Sequence, residues 1–337
     1  MKKNKDNGKF TVVDLFCGVG GFSEGFKQAG YKILAGIDSV DTFIKTFKRN
    51  HKGAIGICGD IRELSVEDME KMLGDREIDV VVGGPPCQGF SIAGRRDPKD
   101  PRNSLFMEFV RIVKGFKAKY IVMENVRGLL SMRTVKGDSV VEIIQNEFKR
   151  IGYEMEYKVL LAADFGVPQK RYRVIFIGTN TKNRITFPEP THSKNPEDTL
   201  FRDNIKKWVP VKDVLLAREE VGESFFHSER MIEGFKRRKE RHRARGNGFG
   251  WQILRTDEPS FTISARYWKD GSDALVKYSD SEIRMLTSLE CARIQSFPDN
   301  YEFMGSKREI YTQIGNAVPP LLAKAIAEEI RKYLIMK

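Results

Sequence analysis

Short runs rich in valine and isoleucine alternate with amphipathic stretches along the first half of the chain, and this alternation narrows the fold class more than any other feature. Candidate strands are Thr11–Phe16, Ile33–Ile37, Ala54–Cys58, Ile78–Gly83 and Lys119–Met123. Helix-like segments lie between them, near Phe22–Ala29, Asp41–Asn50, Ser65–Leu73 and Asn103–Phe116. Strands that are apolar throughout, rather than at alternate positions, are buried on both faces. The expected architecture is therefore α/β, with a doubly wound, mostly parallel sheet. Glu156–Ala162 and Tyr172–Gly178 read as two further strands that pair as a hairpin.

The alternation stops near Asn183. Pro188, Pro190 and Pro210 follow, then a charged run, then Gly246-Asn247-Gly248-Phe249-Gly250. A second, smaller and irregular domain is expected here. In the tail, Leu321, Leu322, Ala325, Ile326 and Ile330 resume helical spacing, in a segment too short to fold alone. The expected division is 1–183 plus 305–337 for the α/β domain and 184–304 for the second, and 337 residues suffice for both.

No apolar run approaches the roughly 18 residues that cross a membrane. The basic start, Met1 to Lys9, lacks the apolar stretch of a signal peptide, so a cytoplasmic location is expected. Cys17, Cys58, Cys87 and Cys291 show no CxxC spacing, which suggests neither a zinc site nor a disulfide framework, and no metal is expected. The net charge of +12 favours a polyanionic partner such as nucleic acid.

Four motifs could carry chemistry. Asp14-Leu15-Phe16-Cys17-Gly18-Val19-Gly20-Gly21 ends the first strand, where glycines allow a tight turn and close approach of a ligand. Asp38 and Asp60 follow the second and third strands and could accept from ribose hydroxyls and an adenine amine; such strand ends line the ligand crevice of open α/β sheets. A glycine turn without a ligand, or a nicotinamide dinucleotide site, would read similarly. Gly83-Gly84-Pro85-Pro86-Cys87-Gln88-Gly89-Phe90-Ser91 is sharper. Arg95, Arg96, Lys99 and Arg102 downstream would favour a thiolate at Cys87, and the two prolines and glycine-rich loop that present it argue against a buried structural cysteine. In Met123-Glu124-Asn125-Val126-Arg127-Gly128, Glu124 could donate a proton to a ring nitrogen, or could equally be a salt-bridged structural acid. In Gln169-Lys170-Arg171-Tyr172-Arg173, Arg171 and Arg173 alternate and so share one strand face. They could grip a carbonyl or phosphate, or be surface residues.

Together these blocks resemble those of the cytosine-5 DNA methyltransferases, in that family's order and over nearly the whole chain. Arg284 to Pro298 and Ile314-Gly315-Asn316-Ala317-Val318-Pro319-Pro320 resemble two further conserved blocks. The resemblance implies the S-adenosylmethionine-dependent methyltransferase fold and a target-recognition role for the second domain. It implies methylation of carbon 5 of a cytosine flipped out of double-stranded DNA, with S-adenosylmethionine as donor. Cys87 would add to carbon 6, Glu124 would bond the ring nitrogen and amine, Arg173 would hold the carbonyl oxygen and Arg171 would assist. Asp14, Phe16, Gly18, Gly20, Asp38, Asp60, Ile61, Pro86, Leu105, Asn316 and Ala317 would bind the cofactor. One departure is Asp38-Ser39, where the family usually has Glu followed by a bulky apolar or aromatic residue.

DNA contacts are expected from Gln88, Ser91 and Arg95, and in the second domain from Gln252, Thr262 and Arg266. Arginine and glutamine read guanine and adenine edges, and Thr262-Ile263 resembles the family's recognition pair. The run Lys236 to Arg245 is either a solvated helix face or a phosphate-contact strip. A monomer, working beside a restriction endonuclease in a restriction-modification system, is expected. Two rival readings are the transfer-RNA branch of the same family and a non-catalytic DNA-binding protein on this scaffold. Gln88-Gly89-Phe90-Ser91-Ile92-Ala93-Gly94 matches the DNA branch rather than the RNA branch.

Overall fold

The computed structural model describes residues 8–86, 101–134, 137–198, 204–244, 246 and 251–336, with the side chains of 101–104 left aside. The chain divides into two compact units: Met1–Leu161, Tyr172–Glu189 and Leu322–Lys337, and Ala162–Arg171 with Pro190–Leu321.

In the first unit the elements follow the order β1 (Thr11–Leu15), α1 (Gly21–Gln28), β2 (Lys32–Asp38), α2 (Asp41–Asn50), β3 (Ile55–Cys58), α3 (Val66–Leu73), β4 (Val80–Gly83), α4 (Pro101–Phe116), β5 (Tyr120–Val126), α5 (Val140–Arg150), β6 (Glu154–Leu161) and β7 (Tyr172–Thr179). They build one seven-stranded sheet in the order β3-β2-β1-β4-β5-β7-β6. The first five strands in that order run parallel, while β7 is antiparallel to both β5 and β6. The order reverses at β1 and β4, which pair with Leu15 opposite Gly83.

The buried valines, isoleucines and leucines of β1, β2, β4 and β5 form the centre of the core, covered by Phe106, Phe109, Phe116 and Phe148 from the helices. β5 continues past the expected Met123 to Val126, because β7 pairs with it along that length. α3 begins where Ser65 accepts from the Asp68 backbone N–H, an N-terminal cap that satisfies a donor the helix itself cannot.

The final helix, α9 (Pro320–Ile335), returns the chain to this unit at Leu322. Tyr31 donates to the Ala327 carbonyl at 3.0 Å, and the Thr186 hydroxyl donates to Glu329 and is hydrogen-bonded to the Tyr333 hydroxyl.

The second unit carries little regular structure: the short pairs β8 (His192–Ser193) with β9 (Lys206–Lys207) and β10 (Leu275–Lys277) with β11 (Ile283–Met285), then α6 (Glu229–Ala244), α7 (Ser288–Ile294) and α8 (Lys307–Asn316). Polar networks stand in for the missing ladders. Arg284 and Glu290, both fully buried, form a two-pronged ion pair at 2.9 and 2.8 Å, while Glu290 also accepts from the Leu216 and Thr287 N–H groups. Among the described residues no helix is long and apolar enough to cross a membrane.

Candidate active site

The carboxyl ends of β1, β2, β4 and β5 place the motif residues of the first unit side by side. Beyond Leu15 the chain turns through left-handed Phe16 (φ 56°), Gly18 (φ 54°) and Gly20 (φ 90°). The turn is held by Cys17 N–H donating to the Ile37 carbonyl at 2.9 Å and by Gly18 N–H donating to Asp38 Oδ2 at 2.9 Å. Asp38 Oδ1 also accepts from the Val40 N–H at 3.0 Å. Burial pushes the Asp38 carboxyl above its ordinary pKa, against the pull of these backbone donors.

Asp14 sits deeper. Its Oδ2 accepts from the N–H and hydroxyl of Ser23 at 3.2 and 2.7 Å, while Oδ1 is buried without a hydrogen-bond partner. Burial raises its pKa to about 7, with Ser23 opposing and Asp38 adding. Asp60 is gripped by Arg62, whose side-chain hydrogen bond lowers the carboxyl to about 2. Ile61 is buried, with its carbonyl accepting from Arg111, and half-buried Phe16 and Leu105 pack on the core.

The second group surrounds Glu124. Gly83 pairs with Met123, so Glu124 is the first β5 residue beyond the β4 partner. A Cβ added at Gly84 would lie 3.4 Å from Glu124 Oε2, and Asn125 donates from its side chain to the Pro85 carbonyl at 3.1 Å. Arg173, opposite Val126 on β7, places Nε 2.5 Å from Glu124 Oε1. Both side chains are largely but not fully buried, at 13% and 14% exposure, so a face remains open to a ligand. Pro86 is half-buried. Cys87, Gln88, Ser91 and Arg95 lie outside the described residues. Among the described cysteines, burial pushes the thiols of Cys17 and Cys291 well up, which leaves them poor nucleophiles. No group of side chains suited to a metal ion occurs among the described residues.

One expectation is corrected. Arg171 does not share a strand face with Arg173, because β7 begins only at Tyr172 and Arg171 belongs to the second unit. Arg171 is 2% exposed, and its guanidinium donates to the carbonyls of Ile263 (3.3 Å), Gly315 (3.0 Å) and Ala317 (3.1 Å). Fully buried Gln169 and Gln295 complete this network. Gln169 accepts from the Ile263 N–H and donates to Gln295, which donates to the Ile314 carbonyl at 2.7 Å. Arg171 is thus a clamp on backbone through its Nη1 and Nη2 groups.

Elsewhere in the second unit, Asn316 ends α8 exposed, and buried Ala317 follows it. Thr262 is exposed and donates to the Lys170 carbonyl, Arg266 is exposed, and Gln252 is half-buried with its backbone paired to Ser272 and Leu275. On α6, Ile232 and Phe235 are buried, Lys236, Arg237, Lys239, Arg241 and Arg243 are exposed, and Arg238 pairs with Asp270 at 2.9 Å. Arg245 lies outside the described residues.

A family model described as C-5 cytosine-specific DNA methylase matches residues 10–332. The Type II methyltransferase M1.HphI of Haemophilus parahaemolyticus is 38% identical over 335 residues, covering 96% of this chain and 87% of its own length. The Type II methyltransferase M.DdeI of Desulfomicrobium norvegicum is 35% identical, covering 96% and 89%. In fold, the chain is similar to the S. pombe Dnmt2 methyltransferase, with a TM-score of 0.74 at 19% identity over 97% of this chain and 100% of that one. It is likewise similar to the Entamoeba histolytica methyltransferase EhMeth, with a TM-score of 0.73 at 18% identity over 97% and 99%.

Proposed function

The chain belongs to the C-5 cytosine-specific DNA methylase family, and from that premise we propose how its own residues divide the work of a DNA cytosine-5 methyltransferase. The observation that carries the assignment is the Glu124–Arg173 ion pair, set beside Gly84 and followed by the Asn125 grip on Pro85.

Carbon 5 of cytosine is a weak nucleophile. Cys87 adds through its thiolate to carbon 6, which turns the ring into an enamine and makes carbon 5 reactive. Glu124 hydrogen-bonds the ring nitrogen and exocyclic amine, so charge gathered there during the addition is stabilised. Arg173 orients the Glu124 carboxyl and holds the carbonyl oxygen of the base. After methylation, loss of the carbon-5 proton returns electrons to the ring and expels the Cys87 thiolate. These groups reach the base only if it leaves the stack.

The residues at the strand ends fit S-adenosylmethionine. The half-buried carboxylate of Asp38 suits ribose hydroxyls, the left-handed turn at Phe16 and Gly18 exposes backbone, and Asp14 Oδ1 is a buried acceptor without a partner. The bound cofactor supplies an electrophilic methyl group. Asp38, Asp60, Ile61 and Pro86 hold its nucleoside in this reading, with Phe16, Gly18, Gly20 and Leu105 completing the first unit's binding set. Where the family has a bulky residue, Ser39 is small, and Val40, 40% exposed at the start of α2, is the apolar side chain beside Asp38 that would face the adenine.

The substrate is double-stranded DNA. Gln88, Ser91 and Arg95 contact it from the first unit, and Gln252, Thr262 and Arg266 from the second, which serves as the target-recognition domain. The exposed cations of α6 contact phosphates. The enzyme works as a monomer and modifies DNA in a Type II restriction-modification system alongside an endonuclease. Methylating a mixed-sequence genome and reading it by bisulfite sequencing tests the whole reading: 5-methylcytosine in one fixed context is expected, and methylation of transfer RNA alone would overturn it.

A further inference from the structure

His51 is 3% exposed and closes the carboxyl end of α2. Its ring lies 4.7 Å from that of Phe47, centroid to centroid. The pair presses on the glycine turn after β1. A Cβ added at Gly20 would stand 2.5 Å from His51 Nε2 and 3.0 Å from Phe47, and one added at Gly36 would stand 2.4 Å from Phe47. The imidazole also donates a hydrogen bond to the backbone of Gly20. Gly20 is the pivot of the turn. Its N–H donates to Cys17 and its carbonyl accepts from Glu24, both at 2.8 Å, and it starts α1 without a side-chain cap. α2 therefore touches the turn at both ends: it begins just after Asp38, which holds Gly18, and ends at His51, which holds Gly20. Burial keeps the imidazole neutral, pulling its pKa down to about 3, with the Lys27 charge adding to the effect.

We propose that His51 is a positioning residue for cofactor binding, fixing the backbone of the Gly18–Gly20 turn through its hydrogen bond to Gly20. The proposal rests on the reading of that turn as cofactor-binding. It assigns a role to a side chain behind the turn that need not touch the ligand. Losing one neutral hydrogen bond is worth up to about tenfold in affinity.

The test is calorimetric binding of S-adenosylhomocysteine to the full chain, together with the KM for DNA and the unfolding temperature. His51→Leu keeps bulk but removes the donor, and should weaken binding by about tenfold while the KM for DNA stays within roughly twofold. His51→Gln restores an N–H at similar reach and should recover most of the affinity. If the leucine variant does not fold, His51→Met gives the same reading. Unchanged affinity in the leucine variant would overturn the proposal. So would equal losses in the leucine and glutamine variants, because the donor would then not matter. Asp38→Ala separates the two levels of inference: if it weakens binding while His51→Leu does not, only the role of His51 falls; if neither changes binding, the reading of the turn falls as well.

Discussion

Arg173 and Glu124 meet across antiparallel strands, with Nε 2.5 Å from Oε1, although their backbones are two positions out of register: Glu124 pairs with Ile175 and Arg173 with Val126. The diagonal brings a carboxyl group and a guanidinium together near the carboxyl end of β5, where neither is fully covered.

Glu124→Gln removes the carboxyl that, in the proposed mechanism, would steady charge on the ring nitrogen. Methyl transfer should fall by about 10²- to 10⁴-fold, within the range of a lost acid-base catalyst. DNA affinity should stay near wild type in a gel-shift titration. Arg173→Lys keeps the charge but loses the planar fork, so it too should lower kcat with little change in unfolding temperature. Activity near wild type in both variants would refute the site.

Cys87→Ser should bind DNA and transfer no methyl groups. Duplex DNA carrying 5-fluorocytosine at the target cannot release a proton from carbon 5, so wild-type enzyme should remain bonded to it through Cys87. Peptide mass analysis locates the adduct. A bond at another cysteine would remove Cys87 from its role.

Arg171→Lys should behave differently from Arg173→Lys. Arg171 spreads its bonds to Ile263, Gly315 and Ala317 over two nitrogens held in a rigid fork, whereas a lysine's donors all sit on one nitrogen of a shorter side chain, and buried acceptors left out of its reach are costly. The expected loss is on the order of 3 kcal/mol of stability, measured by urea unfolding. A stable variant with reduced kcat alone would restore Arg171 to direct catalysis.

Asp14 makes stability depend on pH. Its folded pKa of about 7 lies above the ordinary 3.8, because burial disfavours the charged form. The folded state therefore holds the proton more tightly than the unfolded one. The stabilisation is fully present below the unfolded pKa and is lost as pH rises through about 7, up to about 4 kcal/mol in all. Asp14→Asn mimics the protonated form. Its unfolding temperature relative to wild type should rise from about pH 4 to about pH 7 and level off above that. A flat difference would mean that the carboxyl is ionised throughout.

Neutralising Lys236, Arg237, Lys239, Arg241 and Arg243 should weaken DNA binding and flatten its salt dependence. The log-log slope should shrink by about 0.9 for each phosphate that these cations no longer neutralise. An unchanged slope would mean that α6 is only a solvated surface.

Much of the sheet is legible in the chain because burial on both faces leaves an apolar run at each strand. Val80, Val81 and Val82 read as a strand without any partner in view, and the spacing of Ile44 and Phe47 places α2 where it is found. The end of β5 is not legible. Glu124 and Asn125 are polar, and only pairing with β7 carries the strand through them. Arg171 misleads for a different reason: alternation implies a shared face only inside a strand, and the strand read from the sequence itself starts only at Tyr172, one residue later. His51 gives no signal at all, since a lone histidine has no spacing to read and its meaning comes from Gly20, far off in sequence but pressed against its ring.

The excursion between β6 and β7 bears on engineering. Ten residues, Ala162–Arg171, leave the sheet to join the second unit and return at Tyr172. A chimaera that swaps in a foreign 190–321 segment to change sequence preference would therefore offer native Arg171 and Gln169 an unfamiliar set of carbonyls. Grafts that carry 162–171 along with the donor segment should remain soluble where simpler cassette exchanges precipitate, which makes that short loop the hidden half of any transplant.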